Sequence, residues 1–229
     1  MSGESVPEIV VYVHGLWLNG HESVLLRRRL QRDFGYDVRT FRYPSRSYRM
    51  SQITADLRLF VAALPATTVH FVGHSLGGLV ILRLLEHWRA PPGRVVFLAT
   101  PGVASRAAMR AGRLRLLAAL MGPCIAEELV TEHPRCWTAH ERPLGIIAGT
   151  RALGLGRLFA AFGEENDGTV AVSETRLPGA TDHLVLPVSH MGMLVSDRVA
   201  RAVGTFLRQG GFASVRDAAG ASLSSARNS

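Results

Sequence analysis

Two kinds of apolar segment alternate along the chain. Residues 8–13, 69–73, 94–99 and 144–148 are short runs rich in valine, isoleucine and phenylalanine, with the near-continuous hydrophobicity of strands buried on both faces. Residues 37–42 alternate polar with apolar in strand fashion, and 182–188 forms a last strand segment. Between these runs, 21–34, 52–64, 76–88 and 194–207 carry apolar residues at helical spacing. Gly35 stops the first helix, and Ser51 is the expected N-cap of the second. A further short strand is expected near 169–172. Strands that alternate with helices of about a dozen residues form βαβ units, so the fold class is α/β with a mostly parallel sheet and helices on both faces.

Two segments break the alternation. Residues 101–143 are too long for one connection and carry helical patterns of their own, with Arg106, Arg110 and Arg113 on one face and Leu114, Leu117 and Met121 on another. A small helical cap is the expectation there. The bland reading is a helix with a wet arginine face; the sharper one is a lid that meets an acyl chain or an anionic lipid surface. Residues 213–229 are small and polar and read as a flexible tail. The organisation expected is therefore one domain over 1–212, with the 101–143 excursion inside it.

Charge adds little. Twenty-six basic against 18 acidic residues give +8, and every basic residue is arginine. The arginines are dispersed, and the one tight run (Arg27, Arg28, Arg29, Arg32) suits the wet face of a helix rather than nucleic acid. No secretory signal is read at the start and no apolar run approaches membrane-spanning length, so a cytoplasmic location without stable membrane insertion is expected. Cys124 and Cys136 are expected to be ordinary thiols in a reduced compartment.

The chemistry enters at Gly73-His74-Ser75-Leu76-Gly77-Gly78, on the border between a strand and a helix. A turn that sharp forces the serine into strained backbone geometry and leaves no room for side chains two positions away; Gly73 and Gly77 supply the clearance, and Gly78 lets the helix approach the sheet. The Ser75 hydroxyl then stands at the carboxyl end of a central strand, where open α/β sheets bind ligands, with the Leu76 N–H aimed at the same place.

With this elbow, His14-Gly15-Leu16-Trp17, Asn166-Asp167-Gly168-Thr169-Val170 and Ser189-His190-Met191-Gly192 follow one another in a recognisable order. Over roughly residues 8–208 the chain resembles the α/β-hydrolase superfamily, in particular small bacterial serine esterases and lipases with an H-G-X loop. The resemblance implies the order serine, acid, histidine. His190 lies past the carboxyl end of the last strand and is the expected base; His183 begins that strand, at the far edge. Asp167, in an Asn-Asp-Gly turn, is the expected acid, with Glu164 and Glu165 as runners-up and Asp182 at the wrong edge. The backbone N–H groups of Leu76 and, by resemblance, Leu16 would form the oxyanion hole. Trp17 and Leu18 would form an apolar substrate wall, although the residues alone leave core packing equally open for Trp17. His74 is expected beside the elbow and His14 within the H-G loop. Related lipases often follow the fourth strand with Thr-Pro-His and a Gly-Ser pair; this chain reads Ala99-Thr100-Pro101-Gly102-Val103-Ala104-Ser105.

The activity expected is cleavage of short- to medium-chain carboxylic esters through an acyl-enzyme, with no cofactor and no metal. The same machinery would serve a lipase or an acyl-CoA thioesterase. An inert binding protein on this fold is the reading from outside enzymology.

Overall fold

A computed structural model describes residues 8–102, 123–130, 135–139, 141–153 and 163–216. Among them, six strands form one sheet: β1 (Ile9–Val13), β2 (Asp37–Phe41), β3 (Val69–His74), β4 (Val95–Leu98), β5 (Leu144–Gly149) and β6 (Asp182–Leu186). The order is β2-β1-β3-β4-β5-β6, and every neighbouring pair is parallel. The helices are α1 (Val24–Phe34), α2 (Met50–Ala62), α3 (Leu76–His87), α4 (Pro123–Val130) and α5 (Asp197–Gln209). This is the α/β architecture the alternation predicts.

Successive strand side chains point to opposite faces, and each face builds its own core. Ile9, Val11, Val13, Phe71, Val95, Phe97, Leu144 and Ile146 pack under α2, α3 and Cys124 of α4. Val10, Tyr12, Val72, Val96, Leu98 and Ile147 pack under α1 and α5, where Leu26, Leu30, Val203, Phe206 and Leu207 are buried. With both faces covered, β1, β3, β4 and β5 are buried along their whole length, as their unbroken apolar runs require.

Three boundaries differ from expectation. Helix α2 starts two residues early: its N-cap is Arg49, whose N–H donates to Gln52 Oε1 (2.9 Å), and Met50 N–H donates to Glu127 Oε2 (3.0 Å). A carboxylate from α4 thus caps α2, a long-range contact that Ser51 gave no hint of. Residues 169–172 form no strand; a single antiparallel bridge, Asn166 to Ala171, closes a tight loop that runs into a 3-10 turn at Ser173–Thr175. In the expected tail, 213–216 are helical, Val215 packs on the α5 core, and Arg216 pairs with Asp182; 217–229 lie outside the described residues.

Of the expected cap, α4 is described, whereas Arg106, Arg110, Arg113, Leu114, Leu117 and Met121 lie outside the described residues. Glu127 also pairs with Arg49 (2.8 Å), and the buried Glu128 receives Arg83 of α3 and Arg135, each at 2.8 Å. These two neighbouring glutamates tie α4 to both helices on its side of the sheet. Cys124 and Cys136 are both free thiols. Among the described residues no helix is long and apolar enough to cross a membrane.

Close packing of α3 on the sheet carries a testable cost. A Cβ on Gly77 would lie 2.1 Å from the Val13 carbonyl oxygen, which is fixed backbone, whereas one on Gly35 (φ 75°, closing α1) would meet nothing within 4 Å. In urea unfolding, Gly77→Ala is expected to lose about 3 kcal/mol or more. Gly35→Ala should lose only the left-handed backbone cost of about 1–2 kcal/mol.

Candidate active site

Positive φ in a non-glycine residue is uncommon, and the described residues hold three cases: Trp17 (61°), Ser75 (52°) and Ala99 (49°). They follow the carboxyl ends of β1, β3 and β4, which are neighbours in the sheet. Each such residue costs about 1–3 kcal/mol and persists only where its surroundings enforce it. Strain is thus concentrated on one edge of three central strands.

Ser75 joins β3 to α3 directly. Its N–H donates to Leu98 O (2.9 Å), and its carbonyl accepts from Gly78 N–H (3.1 Å) and Thr100 Oγ1 (3.1 Å). The three glycines serve as expected. A Cβ on Gly73 would lie 2.6 Å from Gly78, one on Gly77 would strike the end of β1, and one on Gly78 would meet Thr100 Oγ1 at 2.0 Å.

Asp167 is 1% exposed, whereas Glu164 and Glu165 stand in solvent. Its loop is folded by its own turn chemistry: Asn166 Oδ1 accepts from Gly168 N–H (3.0 Å), and Gly168 supplies φ 96°. Asp167 Oδ1 accepts from the N–H groups of Thr169 and Val170, both at 2.8 Å. Oδ2 accepts from His190 Nδ1 at 2.8 Å, and the Asp167 carbonyl accepts from His190 N–H at 3.0 Å. Main chain and ring of His190 are therefore held by one residue. With Nδ1–H committed to a carboxylate, Nε2 is the bare, basic nitrogen.

His74, next to Ser75, is fully buried. Its Nε2–H donates to the His190 carbonyl (3.1 Å), and the two rings approach to 4.7 Å between centroids. The last residue of β3, adjacent to Ser75, is thus bonded to the main chain of the expected base. Burial, and then the neighbouring His190, lower the His74 pKa to about 3, so its ring is neutral.

In the H-G loop, Tyr43 N–H donates to His14 Nε2 (3.3 Å), so Nδ1 carries the proton and donates to Gly15 O (2.8 Å). Tyr43 Oη donates to the His14 carbonyl (2.8 Å), and the rings stack at 4.2 Å. Beyond it, Trp17 N–H donates to Ser45 Oγ (3.1 Å) and Leu18 N–H to Gly15 O (3.4 Å). Leu16 N–H has no acceptor among the described residues. Leu76 N–H lies in the first turn of α3, where backbone donors lack intrahelical partners. Trp17 is 62% exposed, which removes core packing as its role, and Leu18 is half-buried. The excluded residues sit elsewhere: Asp182 opposes Gly145 at the start of β5, bound by Arg216, and His183 Nε2 donates to Thr175 Oγ1 (2.9 Å).

A family model described as the alpha/beta hydrolase family matches residues 10–203. The chain belongs to the alpha/beta hydrolase family. No curated protein matches it. Among solved structures, the mature Bacillus licheniformis lipase BlEst2 shares 21% identity at a TM-score of 0.66, over 92% of this chain and 94% of that one. Phospholipase PlaB from Legionella pneumophila shares 16% at 0.67, over 92% of this chain and 60% of that one. The metagenomic carboxyl esterase MGS0156 shares 22% at 0.60, over 82% and 68%. At these identities the likeness is one of fold.

In this alpha/beta hydrolase, Gly102 stands where the related lipases expected from sequence carry histidine. A Cβ there would lie 2.8 Å from the Arg176 carbonyl, so the loop after β4 is packed too tightly for a side chain. Sequence reasoning gave no role to Tyr43 and Ser45. Nothing in a short loop after β2 signals contacts with a loop nearly 30 residues earlier.

The neutral His74 has a consequence for stability. The unfolded imidazole takes up its proton near pH 6.5, the folded one only near 3. The unfolded state therefore binds more protons in this window, and stability falls as pH drops from about 6.5 towards about 3, by about 1.4 kcal/mol per pH unit for one group. His14, His70 and His183 are lowered too, mainly by burial, and act in the same direction. Denaturant midpoints between pH 7 and 4 should fall steeply for the wild type. His74→Gln should flatten that slope by about one proton's worth.

Proposed function

We propose that this alpha/beta hydrolase cleaves carboxylic esters of short to medium acyl chains, with Ser75 as nucleophile, His190 as base and Asp167 as orienting acid. The observation that carries the reading is the 2.8 Å bond between the buried Asp167 carboxylate and His190 Nδ1, on the edge where Ser75 is held at φ 52°. An acid enclosed with a histidine leaves Nε2 basic and stabilises the imidazolium that forms when it takes a proton.

In this reading Ser75 Oγ attacks the acyl carbon while His190 Nε2 takes the hydroxyl proton. The carbonyl π electrons move onto oxygen, and the oxyanion is bound by the N–H groups of Leu16 and Leu76. Collapse of the tetrahedral species breaks the bond to the alkoxy oxygen, which leaves with the proton from His190 as alcohol. Water, deprotonated by His190, then attacks the acyl-enzyme; collapse releases the carboxylic acid and returns the proton to Ser75. Removing one oxyanion donor in such a site costs about 10²–10³ in kcat. The exposed Trp17 and half-buried Leu18 would line the mouth against the acyl chain.

Hydrolysis of p-nitrophenyl esters from acetate to palmitate, by wild type, Ser75→Ala and Asp167→Asn in parallel, tests this. Wild type is expected to show a chain-length optimum at or below the medium range. Ser75→Ala should abolish turnover, and Asp167→Asn should lower kcat by about 10⁴ through the wrong tautomer of His190. A wild type inert on every ester, or unchanged activity in Ser75→Ala, removes the reading.

A further inference from the structure

The H-G loop is clamped from outside at both ends. At its start, Tyr43 binds the His14 carbonyl through Oη (2.8 Å), donates its own N–H to His14 Nε2 (3.3 Å), and stacks on the ring. At its end, Trp17 N–H donates to Ser45 Oγ (3.1 Å), and Trp17 sits at φ 61°. Both clamps come from Tyr43-Pro44-Ser45, the loop that leaves β2. That loop is closed on itself, since the Pro44 carbonyl accepts from Ser47 N–H (3.1 Å) and Tyr48 N–H (3.2 Å). Ser45 is only 4% exposed, although it lies at the loop-rich edge of the sheet.

A tryptophan in the left-handed region is held against its own preference. Its N–H is accepted by the side chain of Ser45. The bond also decides which donor is free. Leu18 N–H is spent on Gly15 O and Trp17 N–H on Ser45, leaving Leu16 N–H with no acceptor among the described residues. A peptide fixed at the carbonyl before it and at the N–H after it cannot readily rotate that donor away.

We infer that Ser45 is a positioning residue: by accepting the Trp17 N–H it holds the strained end of the H-G loop and so keeps the Leu16 N–H aimed at the oxyanion. The inference rests on the ester-hydrolase reading above. Ser45 touches neither substrate nor Ser75 in this role and acts only through the loop.

Replacement of Ser45 by alanine removes one oxygen and little volume, so the fold should survive with an unfolding midpoint near wild type. On the best p-nitrophenyl ester, Ser45→Ala is expected to lower kcat about 10- to 100-fold with KM nearly unchanged, since a misaimed donor costs up to what a missing one does. Affinity for an n-alkylboronic acid, whose Ser75 adduct carries an oxyanion-like oxygen, should fall by a similar factor. Affinity for the product carboxylate should not move. Amide hydrogen exchange at Trp17 should quicken at least tenfold, which reports the lost clamp without reference to turnover. Ser45→Cys, with a weaker acceptor of similar shape, should fall between. A kcat and boronate affinity within twofold of wild type in Ser45→Ala overturns the inference, as does a parallel loss of carboxylate affinity and folding stability. A wild type inert on all esters instead removes the underlying reading, so the two failures are told apart by the wild type alone.

Discussion

Everything at the carboxyl edge of the sheet depends on how closely α3 approaches the strands. The first turn of α3 runs where only glycine fits: against the end of β1 at Gly77 and against Thr100 after β4 at Gly78. That approach leaves no length for a loop between β3 and α3, so Ser75 is the whole connection and carries its strain. The same approach lets Ser75 be bonded from both sides, by Leu98 and Thr100 on the β4 side and by Gly78 within the helix. A serine in an ordinary loop would have backbone states to lose; here they are already lost on folding. The cost is borne by the apolar faces of β1, β3 and β4, which are buried along their whole length.

A second layer of constraint comes from polar groups that span elements. Asp167 makes five hydrogen bonds' worth of contact by backbone and carboxylate with its own loop and with His190. His74 ties the His190 carbonyl to the residue before Ser75. Tyr43 and Ser45 tie the H-G loop to the loop after β2. Each of these three loops is thus braced by a neighbouring element as well as by any bonds of its own. On the far side of α3, Glu127 and Glu128 do the same for α4, and the buried Glu128 lies between two guanidinium groups, so that neither charge is left unpaired.

What could be read from sequence follows the range of the interactions. The strands and helices were legible because periodicity is local, and the elbow because three glycines around one serine have few other physical uses. Asp167 could be placed in a turn because Asn-Asp-Gly folds itself. His190 could be put on the right edge because every strand is parallel, so that the end of β6 shares an edge with the end of β3. The failures are all long-range. Glu127 caps α2 from 77 residues away, so Ser51 looked like the cap. The β-branched residues near 170 suggested a strand, yet hydrogen bonds to Asp167 and Glu174 bend that segment around the Asp167 carboxylate. Trp17 left core packing and an exposed wall equally open, because its positive φ and its bond to Ser45 are invisible in the local pattern.

The neutrality of His74 bears on the same site. A protonated His74 would stand within 4.7 Å of the His190 ring and oppose the imidazolium that the proposed chemistry requires. Burial removes that competitor by pushing its pKa to about 3, while the Nε2–H bond to the His190 carbonyl is kept by the neutral tautomer. Its Nδ1 is buried without a partner among the described residues, which offer nothing to stabilise a second proton there. The position before the serine thus holds a group polar enough to anchor the His190 main chain and too dry to carry charge. A lysine or arginine could supply the same donor only by bringing a permanent charge against His190. An apolar side chain would keep the site dry but lose the anchor, so a buried, neutral histidine meets both conditions at once.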